Sequence, residues 1–111
     1  MEEMRHKEQE ELYLLMMDGK NRLLHYIPLF KGTVNASLVS PREIFIEAMK
    51  YQAVTIALLH NHPSGDPTPS REDILITRRI RDTGELVGIP LLDHVIIGDT
   101  NYRSMKERGI L

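Results

Sequence analysis

Residues 54–73 read VTIALLHNHPSGDPTPSRED: an apolar run halted at a pair of histidines, a proline-punctuated stretch, and a helix start. That order reads as a strand, a loop and a helix in immediate succession, compatible with an α/β fold. Val54 to Leu59 is short, apolar and partly β-branched, the pattern of a buried strand. Side chains alternate along a strand, so His60 and His62 leave on one side and Asn61 on the other. Pro63, Gly65, Pro67 and Pro69 then break any regular structure. Ser70 has the chemistry of an N-cap and Asp73 falls at the third helical position, ahead of Ile74, Ile76, Thr77 and Ile80.

Two imidazoles and one carboxylate at this spacing are three candidate ligands for a divalent metal. Three protein ligands leave a fourth tetrahedral position open for water, as in catalytic rather than structural zinc sites. The donor set suits zinc and leaves iron, manganese and nickel open. A structural reading competes at each residue. The histidines can be core or surface residues, Asp73 can complete a cap and complement the helix dipole, and Ser70 can be a cap alone.

The rest of the chain fills in an alternating pattern. Leu12 to Met17 reads as a strand, Asp18-Gly19-Lys20-Asn21 as a turn, and Arg22 to Phe30 as its hairpin partner. Ser40-Pro41-Arg42-Glu43 reads as N-cap, first-turn proline and acidic third position. It starts a helix to about Tyr51 with Phe45, Ala48 and Met49 on its apolar face. A second helix is expected from Arg71 to Val87, ended by Gly88, and Pro90 opens a strand from Leu91 to Ile97. Tyr102 to Arg108 reads as a short helix stopped by Gly109. Residues 1–9 form a charged lead, and residues 10–111 one domain without internal repeats.

The chain has 111 residues, the size of one domain with a self-standing core. Cysteine is absent, so disulfides and thiolate metal sites are excluded, in keeping with a cytoplasmic protein. No stretch approaches the ~18 apolar residues of a membrane span, and MEEMRHKEQEEL is too charged for a signal peptide. The net charge of −2 argues against a general nucleic-acid surface. Arg71, Arg78, Arg79 and Arg81 alternate with Glu72, Asp82 and Glu85, as on a solvated helix face. His6 and His25 have no partner spacing and are expected to be exposed.

His60-x-His62-Pro63, six residues, then Ser70-x-x-Asp73 resembles the JAMM motif of MPN/JAB metalloprotease-like domains. Three longer words, GTVNASLVSPREIF (32–45), HNHPSGDPTPSREDI (60–74) and LLDHVIIG (91–98), resemble the bacterial RadC family from about Glu10 to the chain's end. The resemblance implies a curved mixed β-sheet flanked by helices, related to the cytidine-deaminase-like architecture. It also implies one zinc held by His60, His62 and Asp73, with Ser70 stabilising an oxyanion. In the family a glutamate ahead of an early strand acts as general base on the metal's water. Counting back from the Asp18 turn selects Glu10, with the adjacent Glu11 as the alternative. The two face opposite ways, so only one can point at a metal. Asp93 is a candidate to support a ligating histidine from behind, against a purely structural role for Asp93-His94 within its strand.

The leading expectation is therefore a zinc-dependent hydrolase of peptide or isopeptide bonds acting on a peptide or protein. The competing one is a non-catalytic scaffold of the same fold, associated with DNA repair or mobile elements. Longer RadC relatives carry a helical domain suited to DNA contacts that these residues do not include, so a nucleic-acid partner is doubtful. A ubiquitin substrate is not implied, because the long insertions of the deubiquitinating relatives have no counterpart. A homo-oligomer is left open. A zinc deaminase is disfavoured by the lack of HxE and PCxxC motifs, and a zincin by the lack of HExxH.

Overall fold

The computed structural model describes residues 9–32, 37 and 39–111. His6 and most of the charged lead lie outside the described residues. Among the described residues, five strands and two helices follow in the order β1 (Glu11–Met17), β2 (Leu23–Lys31), α1 (Pro41–Lys50), β3 (Thr55–Asn61), α2 (Arg71–Val87), β4 (Leu91–Ile97) and β5 (Tyr102–Ser104). The strands form one mixed sheet in the order β2-β1-β3-β4-β5. Only the β3–β4 pair is parallel, and the remaining pairs are antiparallel. α2 is the crossover that a parallel pair requires.

Both helices bury their apolar stripes on the same face of the sheet. Ile44, Phe45 and Ala48 of α1 and Ile76 and Ile80 of α2 share one cluster with Leu12, Leu14, Met16, Ile56 and Leu58. Each fully buried aliphatic side chain contributes roughly 1.5–3 kcal/mol, so the sheet gives the loops at its ends a stiff floor. A smaller cluster on the other face joins Leu59 and Ile97 to Tyr13, Leu15 and Val95.

Both helix starts follow the capping chemistry. Ser40 Oγ accepts from Glu43 N, and Pro41 occupies the first turn, where its missing N–H costs nothing. Met49, expected on the apolar face, is instead exposed. Ile44 takes its place, because the stripe runs one residue earlier along the helix. β2 is an edge strand, which is why it accommodates Pro28. His25 is exposed as expected, and its ring stacks on Tyr51.

The helix expected over 102–108 does not form. Tyr102, Arg103 and Ser104 pair with Ile97, Ile96 and Val95 instead, and residues 105–109 are turns. An isolated seven-residue helix is marginal, whereas β4 presents an open edge whose backbone groups need partners. Asp93 reinforces this end of the sheet, its carboxylate accepting from Ser104 Oγ, Lys106 N and His94 N. Asp93 thus has the structural role, stitching β5 to β4.

Among the described residues no helix is long and apolar enough to cross a membrane.

Candidate metal centre

The register of the central strands decides which side chains meet. β1 runs antiparallel to β3 with Leu12 opposite His60. Directly opposed residues share a face, so Glu10, two positions before Leu12, falls on the face of His60, and Glu11 falls on the other. β4 runs parallel to β3 with His94 beside Leu58, which puts His94 on the His60 face as well. α2 lies over that face and brings Asp73 down from its first turn.

The distances follow. Glu10 Oε1 lies 3.0 Å from His60 Nε2 and 3.8 Å from His62 Nε2. Asp73 spans the two rings, with Oδ1 3.1 Å from His60 Nδ1 and Oδ2 3.1 Å from His62 Nε2. Ser70 is exposed at the helix cap. Its Oγ accepts from Asp73 N, and its N donates to Asp73 Oδ2, a reciprocal capping box. Glu11 faces elsewhere: Tyr13 Oη donates to its Oε2, and Lys31 Nζ lies 3.9 Å from Oε1. Glu10, His60, His62, Ser70 and Asp73 are therefore neighbours, and Glu11 is not among them.

His62 is set by its loop. Its N donates to Ile97 O, and its Nδ1 donates to Asp66 O at 3.0 Å. Asp66 is in turn held by Thr68 N and Oγ1. A backbone carbonyl on Nδ1 leaves Nε2 directed at the carboxylates, the usual orientation of a ligating histidine. The loop turns at Gly65, where φ is +88° and a Cβ would sit 2.4 Å from the Asp99 carboxylate. The left-handed φ is what favours glycine there, and the Asp99 carboxylate occupies the space a Cβ would take.

The electrostatics are those of a site that wants a cation. Burial opposes ionisation of Asp73, but the His60 and His62 imidazoles outweigh it and hold the carboxyl well below the usual carboxylate range. The hydrogen bond to Asp73 raises His62 against the opposing effect of burial. His60 and Asp73 are both fully buried, and the 3.1 Å contact between His60 Nδ1 and Asp73 Oδ1 is one of charge and dipole rather than a well-formed hydrogen bond. Buried polar atoms are almost always satisfied, and a buried carboxylate and imidazole in poor hydrogen-bond geometry are a donor set that a cation would satisfy. One ligand atom from each of Glu10, His60 and His62, and one from each of His60, Asp73 and His94, lie within 4.8 Å of one another. The donor set fits a divalent ion of the zinc type.

The protein-family model for the RadC-like JAB domain matches residues 1–110. The chain belongs to this family. It is 55% identical over 111 residues to a UPF0758 protein of Halalkalibacterium halodurans, covering all of this chain and 48% of that protein. It is 52% identical over 111 residues to a UPF0758 protein of Clostridium botulinum, covering 49% of it. A Pelobacter propionicus UPF0758 protein is 50% identical over 109 residues, 98% of this chain and 48% of its own length. The chain thus spans about half the length of the curated relatives it matches.

Three residues of this RadC-like JAB domain carry more than the sequence reading gave them. Asn61 points away from the histidines, as alternation requires, but its side chain grips the other strand. Oδ1 accepts from Glu11 N at 2.6 Å and Nδ2 donates to Gln9 O at 3.1 Å, which fixes the backbone on both sides of Glu10. Thr77, one turn after Asp73, donates its hydroxyl to Asp73 O and meets His94 Nδ1 at 2.7 Å. His94 is fully buried, and burial pushes its pKa down to about 3, so the ring stays neutral. One signal was available for His94: a polar residue at an alternating position within an apolar strand.

Proposed function

We propose that this domain is a metal-dependent hydrolase of amide or isopeptide bonds, with a peptide or protein as substrate. His60, His62 and Asp73 hold the ion, zinc being favoured by two imidazoles and a carboxylate. The observation that carries the reading is the convergence of Glu10 with both imidazoles and Asp73 at one end of β3. When bound, a zinc ion supplies a water acidified to a pKa of about 7 and polarises a substrate carbonyl.

The chain's own groups do the rest. Glu10 Oε1 is partly exposed beside the rings. It takes a proton at the start of attack and returns it to the leaving nitrogen. Asn61 holds the Glu10 backbone so that this oxygen stays in reach. Ser70 Oγ uses a lone pair on Asp73 N. Its own O–H proton is thereby left to donate to the negative oxygen of the tetrahedral species. Removing one such donor costs about 2.7–4 kcal/mol in other enzymes.

The test is a zinc-loaded preparation of the whole chain assayed against mixed peptide and isopeptide-linked substrates. Zinc-dependent cleavage that a chelator abolishes and zinc restores is the expected result. Zinc bound at one equivalent or more without cleavage of any substrate would favour the scaffold reading.

A further inference from the structure

His94 was read from sequence as part of the strand's own architecture, and the fold leaves it with a lone pair that nothing in the core uses. Thr77 has a single hydroxyl proton. That proton is engaged with Asp73 O at 2.7 Å, so at its other contact Thr77 Oγ1 accepts, and His94 Nδ1 is the donor. The ring's proton therefore sits on Nδ1, and Nε2 is a bare acceptor. Nε2 is buried without a hydrogen-bond partner. Such an atom keeps its desolvation penalty unless something fills its lone pair.

The His94 ring lies 5.7 Å from the His60 ring, centroid to centroid, on the same face of the sheet. Buried His60 Nδ1 and Asp73 Oδ1 lie 3.1 Å apart without a well-formed hydrogen bond. One nitrogen or oxygen from each of His60, Asp73 and His94 lies within 4.8 Å of the others, with all three residues buried. A second such trio, Glu10, His60 and His62, lies toward the surface. Glu10 meets the His60 ring at Nε2, and Asp73 meets it at Nδ1. Asp73 likewise turns Oδ2 toward His62 and Oδ1 toward the interior.

We propose that His60, Asp73 and His94 form an inner cation position, with His94 Nε2 as a metal ligand, beside the outer position at His60 and His62. It takes a borderline divalent ion such as zinc, cobalt or cadmium, because two imidazoles and one carboxylate disfavour magnesium and calcium. Its three side chains are fully buried, so it is closed to substrate, whereas the outer position lies next to the partly exposed Glu10. An ion there holds the first turn of α2 against β3 and β4. The inference rests on the reading that this cluster binds metal, and adds a ligand and a position to it.

The test uses the intact chain with 15N-labelled histidine and 113Cd as the metal. One-bond 113Cd–15N coupling at His94 Nε2, with Nδ1 still carrying its proton, is the expected result. Coupling at His62 Nε2 with none at His94 up to saturation overturns the inner position and leaves the proposed function standing. Coupling at neither overturns both. Coupling at His94 and His60 without His62 supports the inner position and overturns the outer one. Rapid metal exchange would erase couplings, so a second measurement accompanies it. In a His62→Gln variant cadmium binding should persist, and adding His94→Gln should weaken it at least about tenfold. An unchanged affinity in the double variant contradicts the proposal.

Discussion

Asn61 Oδ1 accepts a 2.6 Å hydrogen bond from Glu11 N, and this bond settles which of two adjacent glutamates reaches the histidines. It pins the start of β1 in the register that sets Leu12 opposite His60. Glu10 then shares the histidine face, and Glu11 is turned toward Tyr13 and Lys31.

The two glutamates should therefore separate cleanly. Glu10→Gln is expected to retain zinc and lose about 100- to 10,000-fold in turnover, the range of general acid–base catalysis. Glu11→Gln should stay within a few-fold of the parent. Steady-state rates with parallel metal analysis decide it, and equal losses in both variants would contradict the register argument.

Asn61→Leu removes both strand-crossing bonds. Burying Glu11 N and Gln9 O without partners costs about 1–3 kcal/mol each where they are sealed from water. The expected outcome is a lower urea midpoint and reduced kcat at unchanged zinc content. A variant that loses stability but keeps kcat would show that Asn61 only supports the fold.

Ser70→Ala distinguishes a cap from an oxyanion donor by magnitude. Loss of an N-cap costs about 1 kcal/mol of stability, a change that a folded domain tolerates at 25 °C. Loss of the donor should lower kcat about 100- to 1000-fold. A drop in melting temperature with an intact kcat would reduce Ser70 to a cap.

In the metal-free protein His94 sets part of the pH dependence. Its folded pKa, about 3, lies below the ordinary value of 6.5 because the ring is buried. A depressed folded value means stability fully present above 6.5 and lost as pH falls toward 3, at up to about 1.4 kcal/mol per pH unit. Asp73, also depressed, adds loss in the same direction at lower pH, below the ordinary value of 3.8. His62 is raised, so its contribution runs the other way, present below 6.5 and lost as pH rises through its folded value. His94→Gln should flatten the decline between pH 6.5 and 3 in urea titrations with chelator present. An unaltered slope would contradict the assignment.

Much of this was legible in the residues themselves. Strand β3, the Ser70 cap, helix α2 and strand β4 follow from local rules that operate within a few residues: alternation, capping, glycine and proline punctuation. The fold class and family were carried by three sequence words spread over Gly32 to Gly98. What local rules could not supply was register. Glu10 over Glu11 is decided by a ladder between segments fifty residues apart, and His94 enters the cluster because β4 lies parallel to β3. Tyr102 to Ser104 became a strand because β4 had an open edge, a fact no local pattern contains.

The end of β3 and the first turn of α2 should grip a divalent ion at His60, His62 and Asp73. The most direct measurement is a crystal structure of the zinc-soaked chain with anomalous data at the zinc edge. The account predicts an anomalous peak at about 2.0–2.2 Å from nitrogen atoms of His60 and His62 and from the Asp73 carboxylate, with Glu10 beside it. A fully soaked crystal with no zinc at those side chains, His60 and Asp73 still facing each other, would contradict it.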